Sequence, residues 1–358
     1  MRVLFLTKYP EEGASSRYRV YQYLPYLREH GIKCDVFPFM SPAMYQEMFS
    51  PGHQIKKLRY YLQAVLKRLS ILFHAKKYDL IFMQKECLPF GTPLMERLFK
   101  QWKIPTIFDY DDALFLFKSN KYNKFAKLFK RPNRIFKIFK SVDCVLAGNN
   151  YLREQAAKYC QDARTFYVAE DLARFTPRSQ ANNDIITIGW FGSNTTEKYL
   201  SLVRGALREI CQQYPEVRLK IVGGGEFQDE QIPIEHVSWS LEGEVAALHS
   251  FDIGIMPLPL EEWSKGKCGG KARTYMAVGL PAVCTGIGYN LELIEHGKTG
   301  FLVQSHQDWV NTLSMLIQEP SLRQQVGRMA RASVEKHFSL NILAPELRKI
   351  LLEIANST

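Results

Sequence analysis

The sequence predicts an α/β protein: two Rossmann-like, doubly wound parallel-sheet domains in tandem, with a cleft between them. Three observations predict it. Short apolar runs alternate with amphipathic stretches, as strands and crossover helices do. The alternation stops at one polar seam and then restarts. Gly-rich turns follow the apolar runs of the second half, where such sheets hold their ligands.

The elements follow in order. Residues 3–6 read as a buried first strand, and 18–29 as a helix closed by His30 and Gly31. Strands are expected at 33–39, 79–83, 105–109 and 143–147. The seam lies at 172–184, where Thr176-Pro177 and a polar run interrupt the pattern. Beyond it, 185–191 is a strand, 192–194 a turn and 198–214 a helix. Further strands are expected at 218–222, 236–239, 253–256, 282–284 and 300–303. The domains are therefore placed at 1–172 and 184–338. The helix within 339–358 is expected to pack back on the first domain.

Length and composition agree. A chain of 358 residues, 46% hydrophobic and 23% charged, has room for two cores and is not a disordered tail. Seven cysteines without a Cys-x-x-Cys pair give no disulfide framework and no zinc site, so the chain reads as cytoplasmic. No apolar run approaches the roughly 18 residues of a bilayer span. The run at 3–6 is too short for a signal peptide.

The charge is unevenly divided. Residues 1–170 carry 29 basic and 15 acidic side chains, net +14; residues 171–358 carry 18 and 21, net −3. The first half therefore expects an anionic partner. Two segments carry much of the excess: Lys56 to Lys77 and Lys118 to Lys140, both mixing Lys/Arg with Phe, Tyr, Leu and Ile at helical spacing. Such helices lie on anionic membranes, although their aromatics could instead pack on the sheet. A nucleic-acid partner is disfavoured, since no recognition module is present.

Three stretches carry chemistry. Gly189-Trp190-Phe191-Gly192-Ser193-Asn194 joins a strand to a helix, a geometry that suits phosphate, with Lys198 nearby. Gly223, Gly224 and Gly225 precede Glu226 at another strand end, where a base or ribose could rest; a plain flexible turn is the alternative. Lys265-Gly266-Lys267-Cys268-Gly269-Gly270-Lys271 precedes a helix and suits a pyrophosphate. In the first half, Asp109-Tyr110-Asp111-Asp112 closes a strand and resembles a metal-binding Asp-x-Asp. No histidine spacing identifies a catalytic base or a metal site.

Residues 251–303 resemble the donor-binding half of a GT-B glycosyltransferase of the family-4 type, also called glycosyl transferases group 1. FDIGIMPL, GKCGGK, YMAVGLPAV and IEHGKTGFLV stand in that family's order and spacing. Residues 7–31 resemble its N-terminal Gly-rich turn and first helix. DLARF-x-P at 171–177 resembles its interdomain junction, and GWFGSNTTEKYL its first phosphate loop.

The resemblance implies transfer of a sugar, with retention, from a nucleotide diphosphate sugar to an acceptor hydroxyl. It implies a GT-B architecture that needs no metal and no other cofactor. On the donor side it implies Gly192, Ser193, Lys198, Gly224, Glu226, Lys267, Cys268, Gly269, Gly270, Lys271 and Thr274. On the acceptor side stand Gly13, Arg17, Arg19, Asp109, Asp111 and Asp112. The catalytic candidates are Asp111, Lys198 and Lys271. Two departures stand out: the family's paired donor glutamates fall at Gly266 and Thr274, and its loop arginine at Ser193. The alternative is thus a non-catalytic GT-B-like binding protein. The acceptor is expected to be lipid-linked or a saccharide, in bacterial cell-surface polysaccharide or glycolipid synthesis. The protein is expected on the inner face of the cell membrane.

Overall fold

The computed structural model describes residues 1–48, 52–116, 133–178 and 185–357. The chain forms two units. The first joins Met1–Ala169 to Leu340–Thr358; the second is Glu170–Ser339.

In the first unit six strands form a parallel sheet: β1 (Arg2–Thr7), β2 (Lys33–Pro38), β3 (Leu80–Gln84), β4 (Thr106–Tyr110), β5 (Cys144–Ala147) and β6 (Asp162–Thr165). Their order is β2-β1-β3-β4-β5-β6, so the winding reverses between β1 and β3. β1, β3, β4 and β5 are buried almost throughout because helices cover both faces, which is why they read as unbroken apolar runs. The last helix, Leu340–Asn356, belongs to this unit. Its Leu343, Leu347, Ile350, Leu351 and Ile354 fall on one helical stripe and enter the core beside Phe5, Phe82 and Leu146.

The second unit repeats the design. Its strands are β7 (Ile186–Phe191), β8 (Val217–Val222), β9 (Ile234–Val237), β10 (Ile253–Met256), β11 (Ala282–Thr285) and β12 (Phe301–Val303). The order β12-β11-β10-β7-β8-β9 places the reversal between β7 and β10. All pairings in both sheets are parallel. The two carboxyl-edge crevices where ligands enter such sheets therefore lie at β1/β3 and at β7/β10.

Several local expectations change. β6 was not foreseen, because Asp-Ala-Arg-Thr has no apolar run and lies half-buried at the sheet edge. The stretch 18–29 is not one helix. Ala14–Arg19 ends at Val20, Tyr21–Tyr23 is a 3₁₀ turn, and Leu24–Glu29 restarts with Pro25 in its first turn. The stretch 198–214 divides into a 3₁₀ run, Lys198–Val203, and a helix, Arg204–Gln213. The strand expected at 236–239 is Ile234–Val237.

The unit boundary falls at Ala169/Glu170, earlier than the polar seam. Glu170 forms a β-bridge with Ser339, and its N–H bonds to the Phe338 carbonyl at 2.7 Å. Residues 170–178 are held by the second unit: Arg174 pairs with Glu244 and the Arg178 N–H bonds to Val278. Residues 179–184 of the seam lie outside the described residues.

The two basic segments part company. Lys56 to Lys77 contains a 17-residue helix, Gln54–Ser70, discussed below. Of Lys118 to Lys140, residues 117–132 lie outside the described residues. The remainder, the helix Arg134–Phe139, buries Ile135, Ile138 and Phe139 and stacks Phe136 on Tyr159. These described side chains pack on the protein.

Candidate active site

In the second unit the crevice at β7/β10 is built by mutual exclusion of side chains. A Cβ on Gly192 would stand 2.6 Å from Lys271 Cε, and a Cβ on Gly223, at φ +84°, would stand 2.4 Å from the Gly192 carbonyl. Glycine is therefore required at both turns, and the two strand ends close against each other and against Lys271. Behind them, Tyr275 fills the place a Gly254 side chain would take. Its hydroxyl donates to the Ile255 carbonyl and accepts from the Phe191 N–H, both at 3.2 Å.

Lys271 is the central cation. Its ammonium lies 5.2 Å from the Trp190 ring centre and 3.4 Å from Thr196 Oγ1, and it forms no ion pair among the described residues. Burial lowers its pKa to about 8, helped by neighbouring Lys267. An unpaired, desolvated ammonium is an unfavourable state that an anion relieves. Lys267 lies 3.7 Å over the Trp263 ring. Gly269 takes a left-handed φ of +59° and turns the chain into the helix Gly270–Ala277, and a Cβ on Gly270 would meet open space. Cys268 is half-buried and Gly270 exposed, so the start of this helix opens beside Lys271.

The other donor-side candidates are placed differently. Ser193 is exposed at the turn, its hydroxyl bonded to Thr195. Lys198 is also exposed and lies over the ring of the adjacent Tyr199. The Gly223–Glu226 turn is organised by Glu197, a residue the sequence reading passed over. Its buried carboxylate accepts the N–H groups of Gly225, Glu226 and Phe227 at 2.8–3.1 Å. Burial raises its pKa, but those N–H groups outweigh it, and the pKa ends below the ordinary range. The N–H groups of Gly225 and Glu226 are consequently taken. A Cβ on Gly224 would stand 2.5 Å from the same carboxylate, and the Glu226 side chain remains exposed.

Thr274 does not face a ligand. It is buried, and its hydroxyl lies 2.9 Å from the Gly270 carbonyl and 3.2 Å from Glu170 Oε1. Arg273 Nε reaches the same carboxylate at 3.1 Å. Glu170 is thus the carboxylate adjoining the position where the resembled family has a glutamate. Burial raises its pKa to about 7 against the pull of Arg273. Nothing in the sequence around Glu170 signals that proximity, because the pair is 103 residues apart.

In the first unit the β1/β3 crevice collects polar side chains. Gly13 is needed because a Cβ there would stand 2.3 Å from Tyr9 Cβ. Ser15 Oγ donates to Asp111 at 2.7 Å, and Ser16 Oγ donates to Gln84 at 2.8 Å. Buried Lys85, at φ +65°, lies 2.9 Å from Asp111 and 3.5 Å from Asp112. Burial opposes the charges, but Lys85 and Ser15 bring Asp111 down to about 2. Asp111 and Asp112 therefore share an ammonium, a partner that residue spacing did not reveal.

Arg19 and Asp109 leave the acceptor set. They form a fully buried ion pair, and Arg19 also donates to the Phe166 carbonyl at 2.6 Å. Burial would favour a neutral Arg19, but Asp109 raises its pKa above the ordinary value. The pair ties the first helix to β4 inside the core and is closed to a ligand. Arg17 remains half-exposed, with a bond to the Glu12 carbonyl.

Comparison with known proteins agrees with this geometry. Residues 182–319 match the family model described as Glycosyl transferases group 1. A D-inositol 3-phosphate glycosyltransferase of Corynebacterium jeikeium is 26% identical over 215 residues, 51% of this chain and 50% of that protein. A capsular polysaccharide biosynthesis glycosyltransferase, CapM, of Staphylococcus aureus is 23% identical over 47% of this chain and 46% of its own. The chain thus matches about half the length of these curated relatives. Two solved structures align over the whole chain. Anabaena HepE in complex with UDP-glucose has TM-score 0.69 at 15% identity, covering 99% of this chain and 100% of that one. Sucrose-phosphate synthase of Thermosynechococcus elongatus has TM-score 0.71 at 15% identity, covering 100% of both. The chain therefore has the GT-B fold throughout, and residues 182–319 match the model of glycosyl transferases group 1.

Proposed function

We propose that the protein is a retaining glycosyltransferase that moves a sugar from a nucleoside diphosphate sugar to an acceptor hydroxyl. The unpaired ammonium of Lys271 against Gly192 carries this reading. As the donor bond breaks, negative charge grows on the leaving diphosphate, and a cation already fixed and desolvated there stabilises it with little reorganisation. Lys267, the backbone of Cys268–Gly270 and, from the turn beside them, Ser193 complete the cradle. Lys198 is exposed and would supply longer-range attraction. No metal is assigned a role, since the lysines carry the charge.

The same ammonium makes donor binding pH-dependent. With a pKa of about 8, Lys271 is protonated at neutral pH and loses its charge as pH rises. A bound diphosphate favours the protonated form. Diphosphate affinity should therefore fall from pH 7 to pH 9.5 in calorimetric titrations, whereas nucleoside affinity should stay level.

The first unit would bind the acceptor, with Arg17, Asp111 and Asp112 at its crevice. Asp111 is held ionised by Lys85 and Ser15, so it is suited to orient a hydroxyl by accepting its proton in a hydrogen bond. The acceptor would be lipid-linked or a saccharide, used in bacterial cell-surface polysaccharide or glycolipid synthesis at the inner face of the membrane. The helix Gln54–Ser70 supports a membrane location. Ile55, Leu58, Leu62 and Leu66 recur at i, i+3, i+7 and i+11 and are 55–86% exposed. Residues 54–77 hold seven Lys/Arg and no Asp or Glu. An outward apolar stripe with basic flanks suits an anionic lipid surface. Among the described residues no helix is long and apolar enough to cross a membrane.

Transfer and hydrolysis assays across a set of nucleotide sugars test the activity, with the anomeric configuration of the product read by NMR. Turnover with at least one donor is expected. Binding of donors without any turnover would favour the non-catalytic reading, which the burial of Thr274 and the absence of a carboxylate at Gly266 motivate.

A further inference from the structure

Three buried side chains at the carboxyl edge of the first sheet hold donors with no acceptor. Arg68 is 3% exposed. One of its terminal nitrogens donates to the Thr7 carbonyl at 2.6 Å, while Nη1 has no partner. Arg134 is 7% exposed, with Nε and Nη2 unpartnered. The Tyr61 hydroxyl is buried and unpartnered as well. Among the described residues neither arginine forms an ion pair. Buried guanidinium groups are ordinarily paired, and each orphaned donor is costly.

These groups are neighbours. Tyr61 and Arg68 lie seven residues apart on one helix and both rest on the Phe39 ring, at 5.6 and 5.8 Å. Arg134 acts on the Tyr61 hydroxyl, and both arginines act on the buried Cys87 thiol, each favouring the ionised form against burial. Glu96 is the nearby carboxyl; it accepts the Cys87 N–H at 3.2 Å and is hydrogen-bonded to neither guanidinium group. Thr7 ends β1 and Cys87 follows β3, so the cluster adjoins the crevice where the winding of this sheet reverses.

We propose that Arg68, Arg134 and Tyr61 form a subsite for an oxyanion of the acceptor. Four N–H and O–H donors with no hydrogen-bond acceptor of their own match a tetrahedral phosphate or a planar carboxylate, which guanidinium groups grip in a fork. The inference rests on reading the first unit as the acceptor side, and it narrows the acceptor to an anionic one. Two sources share the chemistry: a phosphate, as in a lipid-linked phosphate, and a carboxylate, as in an acidic sugar.

The test is calorimetry and thermal unfolding of the full chain with UDP saturating, so that the phosphate-binding loops of the second unit are filled. Inorganic phosphate and glucuronate are the probes, with chloride matched for ionic strength. At least one probe should raise the melting temperature of the unaltered protein. Arg134→Gln should weaken that binding roughly ten-fold or more, and Tyr61→Phe by less. Without a probe, Arg134→Gln should melt no lower than the unaltered protein, because it removes a buried, unpaired charge. The stronger probe identifies the source. Chloride matching both probes in the unaltered protein would overturn the subsite, as would probe binding that survives Arg134→Gln. Either result leaves the UDP response intact, whereas absence of that response would count against the proposed activity and not against the subsite.

Discussion

At the residue scale, the ion pairs divide into those that build the fold and those left for a ligand. Arg19 and Asp109 belong to the first kind. Both are fully buried, so removing one partner strands a charge in the core. Asp109→Asn should cost about 3–5 kcal/mol of stability, measurable by urea unfolding. The residue types and their strand-end position were legible in the sequence; their pairing was not, because it joins positions 90 residues apart. The same limit hid Glu197 and Glu170, each of which acts on chain far away in sequence. Glu170 makes a pH prediction. Its folded pKa, about 7, lies above the ordinary 4.5, so between those values the folded state keeps a proton that the unfolded chain releases. Its contribution to stability is therefore fully present below about pH 4.5 and is lost as pH rises toward 7. Glu170→Gln should flatten the fall of melting temperature across that window; an unchanged slope would show that another group titrates there.

At the element scale, the apolar runs were legible because central parallel strands are buried on both faces. β6 was not, since an edge strand needs few apolar residues. Helix boundaries were the least legible: Val20 and Pro25 divide one periodic stretch into three pieces, and only backbone angles reveal it. The two basic segments looked equivalent in composition. Among the described residues, Ile135, Ile138 and Phe139 at the end of the second segment are turned into the core, whereas Ile55, Leu58, Leu62 and Leu66 of the first are turned to solvent. The exposure of this stripe predicts that Leu62→Gln with Leu66→Gln leaves the unfolding free energy within about 1 kcal/mol of the original, as surface changes do. The same pair should release the protein from vesicles containing anionic phosphatidylglycerol in sedimentation assays. Retained vesicle binding would remove this helix as the lipid contact.

At the scale of the whole molecule, the two sheets reverse their winding at β1/β3 and β7/β10, and the Gly-rich turns and lysines of the sequence converge on the second of these. That convergence was foreseeable, since GWFGSN, GGGE and GKCGGK all follow strands. The first crevice was less so, because its polar groups come from Ser15, Gln84, Lys85 and Asp111, scattered through the first third of the chain. The +14 and −3 halves also acquire meaning. Part of the positive charge in the first unit lies on the helix Gln54–Ser70, proposed above as the lipid contact, and on the buried Arg68 and Arg134, while the proposal for the acidic second unit rests on one lysine with no ion-pair partner among the described residues. The central claim is that Lys271 binds the diphosphate of a nucleotide sugar. It is tested most directly by measuring nucleoside diphosphate and nucleoside affinities for the unaltered protein and for Lys271→Ala by calorimetry. Loss of diphosphate affinity by ten-fold or more, with nucleoside affinity nearly unchanged, is the predicted result. Equal loss for both ligands, or no loss for either, would contradict it.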